Sequence, residues 1–199
     1  MKNLIFLSLT FFTLLCSCKR DDNQTSETEN ITYPEESFFD GYKTTTGFSQ
    51  YTTSSVNAAL GEMGLFFTPT VNGKISKIKI RLPQASNSLR VTIWNTNDGS
   101  VISSNNYIVS SGNTEYTFSV DNINLVKNGN YAITMLTNQV YYNSKSDNSA
   151  TFYPVTIGHI AITAFKADMA INTNVPSLPT SVFKDRYMGN LYFIFQQTN

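Results

Sequence analysis

Lys74-Ile75-Ser76-Lys77-Ile78-Lys79-Ile80-Arg81-Leu82 alternates basic and aliphatic side chains, and Leu89-Arg90-Val91-Thr92-Ile93-Trp94 takes up the same rhythm after a short gap. Successive side chains of a strand point to opposite faces, so Ile78, Ile80 and Leu82 share one face, as do Leu89, Val91 and Ile93. The alternation predicts two strands, each with one face turned to a core and the other to water. No segment carries a sustained helical period.

Outward from this pair the pattern continues in both directions. Met63 to Thr68, Val101 to Val109, Glu115 to Val120, Tyr131 to Thr137, Val140 to Tyr142, Thr156 to Phe165 and Leu191 to Gln196 are apolar alternations of strand length. Between them, Val71-Asn72-Gly73, Asn97-Asp98-Gly99 and Lys127-Asn128-Gly129 place Asn-Gly or Asp-Gly where a hairpin reverses the chain with positive φ. The expected fold is all-β: an antiparallel, jelly-roll-like β-sandwich of about nine strands. Its polarity comes from Asn, Ser and Thr, with only 14% of residues charged, which favours strands and turns over helices.

Residues 41–199 are read as a single sandwich domain, a usual size for one core. Residues 18–40 are rich in Asp, Glu, Asn, Gln, Ser and Thr and lack an apolar period before Phe38-Phe39, and they are read as a disordered tether. Lys+Arg and Asp+Glu are equal at 14 each, and the densest basic run is spread along one solvated strand face. That distribution argues against nucleic acid as a partner.

Residues 1–17 are read as an export signal. Lys2 supplies the positive start, and Leu4 to Leu15 is too short an apolar run to cross a bilayer as a helix. The run closes on Leu15-Cys16-Ser17-Cys18, which resembles the lipobox of bacterial lipoproteins. The resemblance implies cleavage before Cys18 and a covalent lipid on that residue, so the expected partner at this end is a membrane. Lys19-Arg20-Asp21-Asp22 is similar to the surface-export signal of lipoproteins in the Bacteroidetes group. It implies an outer-membrane lipoprotein exposed on the cell surface.

Gly64-Leu65-Phe66-Phe67-Thr68 leading to Gly73-Lys74-Ile75-Ser76-Lys77-Ile78, then Val91-Thr92-Ile93-Trp94 with Asp98-Gly99, then Gly129-Asn130-Tyr131-Ala132-Ile133, form a layout similar to the bacterial family called domain of unknown function 4082. Leu191-Tyr192-Phe193-Ile194-Phe195 fits as its closing strand. The resemblance implies a β-sandwich found in surface proteins and beside glycoside hydrolases, and brings no active site with it. Asn138 to Pro154 and Thr173 to Arg186 are longer and more irregular than that layout requires, and exceptional function is expected there.

Cys16 and Cys18 are the two cysteines and both lie at the leader, so the domain has no thiol for catalysis or metal binding. His159 is the single histidine, read as a partly exposed strand residue. A glycoside hydrolase-like site would draw two carboxylates from Glu62, Asp98, Glu115, Asp121, Asp147, Asp168 and Asp185, but turns and strand ends account for them and no catalytic residue is assigned. No cofactor is expected. A structural calcium stays open, with Asn95, Asn97 and Asp98, or Asp147 and Asn148, as oxygen donors toward the six to eight this ion prefers.

What remains is recognition. Sugar sites on sandwiches combine flat aromatic rings with amides. Tyr141, Tyr142 and Tyr153 flank the polar Asn143 to Ser149 loop, and Trp94 points away from the Val91 and Ile93 face, either to solvent or beneath a neighbouring loop. These four are the candidate ligand-binding residues. The expected function is a non-catalytic envelope lipoprotein that displays a binding surface for glycan, with a protein partner or a structural envelope role as the alternative.

Overall fold

The computed structural model describes residues 31–171 and 175–199. The export signal, Cys18 and the first part of the tether lie outside these residues, as do the first residues of the Thr173 to Arg186 stretch.

Two antiparallel sheets form the sandwich. The smaller has the order β1 (Glu35–Ser37), β12 (Leu191–Gln197), β3 (Gly73–Arg81), β6 (Glu115–Leu125). The larger runs β10 (Val182–Phe183), β9 (Ile160–Met169), β2 (Tyr51–Pro69), β7 (Tyr131–Ser144), β4 (Ser86–Asn95), β5 (Ser100–Val109). Beside this path, β8 (Val155–Ile157) pairs with β9 and β11 (Arg186–Met188) with β7. One helix, α1 (Phe39–Thr46), is present among the described residues.

The alternation that predicts the fold also builds its core. Ile78, Ile80 and Leu82 from one sheet and Leu89, Val91 and Ile93 from the other are all buried in a shared cluster with Met63, Leu65, Phe67, Ile133, Phe193 and Phe195. Phe193 bridges the sheets, its ring 4.5 Å from that of Phe67 and 4.9 Å from that of Phe38. At roughly 1.5–3 kcal/mol per fully buried large apolar side chain, this cluster is the main source of stability.

The structure departs from the sequence reading at five places, each with a local cause. The run from Lys74 to Arg81 does not alternate throughout: Ile75 and Ile78 are three apart, and a register shift against β12 absorbs Ser76, so both stay buried. Of the three expected hairpin joints, Asn97-Asp98-Gly99 connects paired strands β4 and β5, with Gly99 at φ 74°. The other two cross between sheets. Gly73 is not left-handed there, but a Cβ on it would lie 2.2 Å from the Phe195 ring, so close packing selects the glycine.

Thr156 to Phe165 is two strands. Gly158 at φ 56° and His159 form the two-residue turn between β8 and β9, which places His159 on a turn and not within a strand. Tyr131 to Thr137 and Val140 to Tyr142 are conversely one strand, β7. Finally, the stretch read as tether enters the fold at Glu35: β1 pairs with β12, and Phe38 and Phe39 plug the sandwich as α1 begins. Apolar burial of these two rings offsets the ordering entropy of the polar residues before them.

The outer face of the larger sheet is not uniformly wet. Trp94, Phe66, Ala132 and Ala164 form a second buried cluster on it, packed against Leu178. Beside them sits Glu62, 0% exposed. Arg90 Nη2 donates to Glu62 Oε2 (2.5 Å), Thr134 Oγ1 donates to Glu62 Oε1 (2.6 Å), and Trp94 Nε1 donates to Thr134 Oγ1 (2.9 Å). The segment over this face is fastened by Asp168, whose carboxylate accepts hydrogen bonds from the Thr180 and Ser181 main-chain N–H groups.

Candidate functional site

The irregular segments singled out in the sequence meet at one end of the larger sheet. Register places Arg186 opposite Ser144 and Ser144 opposite Tyr51, a row across β11, β7 and β2; Tyr142 opposite Thr53 forms the next row. Directly opposed residues of antiparallel strands share a face. These five side chains therefore open to one side, where Asn148 and Asp185 complete the lining of a cleft of about 130 Å³. Tyr51 is 57% exposed and Tyr142 half-buried.

Asp185 and Arg186 are locked together. Arg186 Nε donates to both carboxylate oxygens of Asp185 at 3.1 Å, and Nη2 donates to Oδ2 at 2.5 Å. The guanidinium holds the Asp185 carboxyl below its ordinary pKa, and the same bonds push Arg186 up. The cleft thus offers fixed polar groups with little net charge.

The loop after β7 forms the wall. Ser146 donates its N–H to Gln50 Oε1, Lys145 Nζ donates to Ser149 Oγ and the Ala150 carbonyl, and Asp147 Oδ1 accepts from the Ser149 N–H. Asn148 takes φ 53°, a conformation that Asn tolerates better than most residues. Further on, the Thr151 N–H donates to the Lys184 carbonyl and the Tyr153 hydroxyl is hydrogen-bonded to that of Tyr42 at 2.8 Å. Between these two anchors Phe152 is 91% exposed. It lines a groove of about 430 Å³ together with Thr45, Lys145, Thr156 and neighbouring residues.

Of the four aromatic candidates, Tyr142 alone lines the cleft. Trp94 is 3% exposed and spends its indole N–H on Thr134, so it takes the covered alternative and presents no platform. Tyr141 points to the opposite face from Tyr142; its hydroxyl donates to the Leu82 carbonyl and Asn113 Oδ1 beneath the Arg81 guanidinium. Tyr153 packs against the core, and burial pushes its hydroxyl up to about 12. Cys18 lies outside the described residues.

Tyr51, Arg186 and Phe152 were not singled out from the sequence. Phe152 carries a signal in retrospect: it is a large aromatic that directly follows the polar or small run Asn148-Ser149-Ala150-Thr151. No family model and no curated protein matches the chain. The functional reading therefore rests on geometry.

The remaining chemistry is accounted for locally. His159 Nδ1 lies 2.5 Å from Glu36 Oε1, and the His159 N–H donates to Glu36 Oε2, so the pair ties the β8–β9 turn to β1. Asp98 Oδ1 accepts from the Ser100 N–H and Asn95 Oδ1 from the Asn97 N–H, while Asn97 Oδ1 accepts from Asn130 Nδ2. Glu115 receives Lys79 Nζ and the Tyr192 hydroxyl. Among the described residues no three His, Cys, Asp or Glu side chains gather as metal ligands would.

Proposed function

We propose that the chain is a non-catalytic, lipid-anchored lipoprotein of the outer membrane, displayed at the cell surface, whose sandwich binds glycan in the Tyr51–Tyr142–Arg186 cleft. One observation carries this reading: two tyrosine rings share an opening with a fixed Asp185–Arg186 pair, Asn148, Ser144 and Thr53. Rings cover the apolar face of a sugar, and rigid donors and acceptors take its hydroxyls. Because Asp185 offsets the charge of Arg186, the favoured ligand is an uncharged sugar. Glu62, Asp98, Glu115, Asp147, Asp168 and Asp185 are bound into turns, loop contacts or ion pairs, and Asp121 lies exposed on β6, which supports binding without catalysis.

Affinity electrophoresis through gels containing neutral polysaccharide tests the reading. The protein is retarded, and Tyr51→Ala or Arg186→Ala restores free migration; free migration of the parent chain in every polysaccharide overturns it. Asp185 lies below its unfolded pKa of about 3.9 and keeps Arg186 paired as pH falls, so retardation stays constant from about pH 7 to about pH 5. A second reading, capture of a partner protein, draws on Phe152, held out by anchors on both sides as an aromatic hot spot would be.

A further inference from the structure

The strand order of each sheet ends on two strands, and three of these four are blunted; β8 and β11, paired beside the path, are three residues each. β1 is three residues long and holds Glu35 and Glu36, β10 has two residues, and β6 carries Glu115 and Asp121. Shortness and charge are the usual devices that stop a sheet edge from pairing with another chain. β5 has neither. It is ten residues long, Ser-Val-Ile-Ser-Ser-Asn-Asn-Tyr-Ile-Val, pairs with β4 alone, and contains no charge and no proline. Val101, Ile102 and Ile108 on it are exposed. A bulge at Ile102 leaves an in-register run from Ser103 to Tyr107.

We propose that β5 pairs antiparallel with β5 of a second copy, joining the two larger sheets across a twofold axis at Asn105. An added extended strand would satisfy the outward N–H and C=O groups of this edge in a continuous ladder. The sequence of the edge then selects the copy. About Asn105, Ser103 faces Tyr107 and Ser104 faces Asn106, and no like charges meet. The same operation on the edge strand β6 would bring Glu115 and Asp121 together. A hollow of about 350 Å³ between β5 and β6, lined by Ser103, Asn105, Tyr107, Ser119 and Asp121, opens at this edge beside the added strand.

The test is oxidative cross-linking of the full chain in its native membrane with single cysteines on β5. Asn105→Cys lies opposite itself across the axis, within disulfide range, and gives a band of twice the chain mass that the parent lacks. Ser100→Cys, five residues from the axis, gives none. Adding Ser104→Lys and Asn106→Lys to Asn105→Cys sets like charges opposite one another and lowers that band about tenfold or more, with circular dichroism confirming the fold. Equal cross-linking at Ser100→Cys, survival of the band with both lysines, or no band at Asn105→Cys in a chain that sediments as a monomer each overturns the proposal.

Discussion

At Trp94 the alternation of β4 sends the indole to the outer face of the larger sheet, and hydrogen bonding then decides its surroundings. Its N–H reaches Thr134, which reaches Glu62, which receives Arg90. Removing one side of a buried ion pair typically costs about 3–5 kcal/mol, so Glu62→Ala is expected to lower stability by that amount, read from the denaturation midpoint. The sequence shows that Trp94 leaves the core face, but the partner that covers it arrives from Leu178, eighty-four residues on, with no local signal. Tyr153 and Tyr42 supply a second prediction at this scale. Burial raises both hydroxyls, Tyr153 to about 12. The unfolded chain loses these protons near pH 10 and the folded chain later, so their contribution is complete below about pH 10 and declines as pH rises toward 12. Tyr153→Phe is expected to flatten the fall in denaturation midpoint between about pH 9 and about pH 11.

Among the elements, β2 shows what a strand pattern reveals and what it conceals. Met63 to Thr68 is legible because its side chains are apolar, whereas Tyr51 to Leu60 in the same strand is mostly exposed and carries Thr, Ser and Asn. Its strand character comes from pairing with β7, which single-sequence periodicity does not report. Gly64 marks the close approach of these strands: a Cβ there would sit 1.9 Å from the Ile133 carbonyl oxygen. Gly64→Ala is expected to cost about 1–3 kcal/mol through forced separation of the central strands, measured by thermal unfolding. Helix α1 was hidden for a different reason. It is eight residues long, Phe38 at its N-cap supplies no side-chain hydrogen bond, and Gly47 at φ 78° is its one recognisable stop signal. The same limits hid Arg186, which lies on a three-residue strand placed by β7.

For the molecule as a whole, the two irregular segments were legible as departures from regular strand spacing, and the structure brings both to the same cleft. Their meeting could not be read in advance, because Tyr142 and Arg186 are joined by sheet register alone. The proposed anchor sits at the other end of the chain's organisation, at Cys18. Cys18→Ala is expected to move the protein from the membrane fraction to the soluble or uncleaved precursor pool, followed by fractionation and mass measurement of the mature N-terminus. Binding at the cleft is read by a glycan array probed with the parent chain, Tyr51→Ala, Tyr142→Ala and Trp94→Phe. Uncharged glycans are expected to bind the parent and Trp94→Phe, and both tyrosine variants to lose about tenfold or more of that signal, the worth of roughly one stacking contact of 1.4 kcal/mol. Unchanged binding in both tyrosine variants, or an array silent to the parent chain, would contradict it.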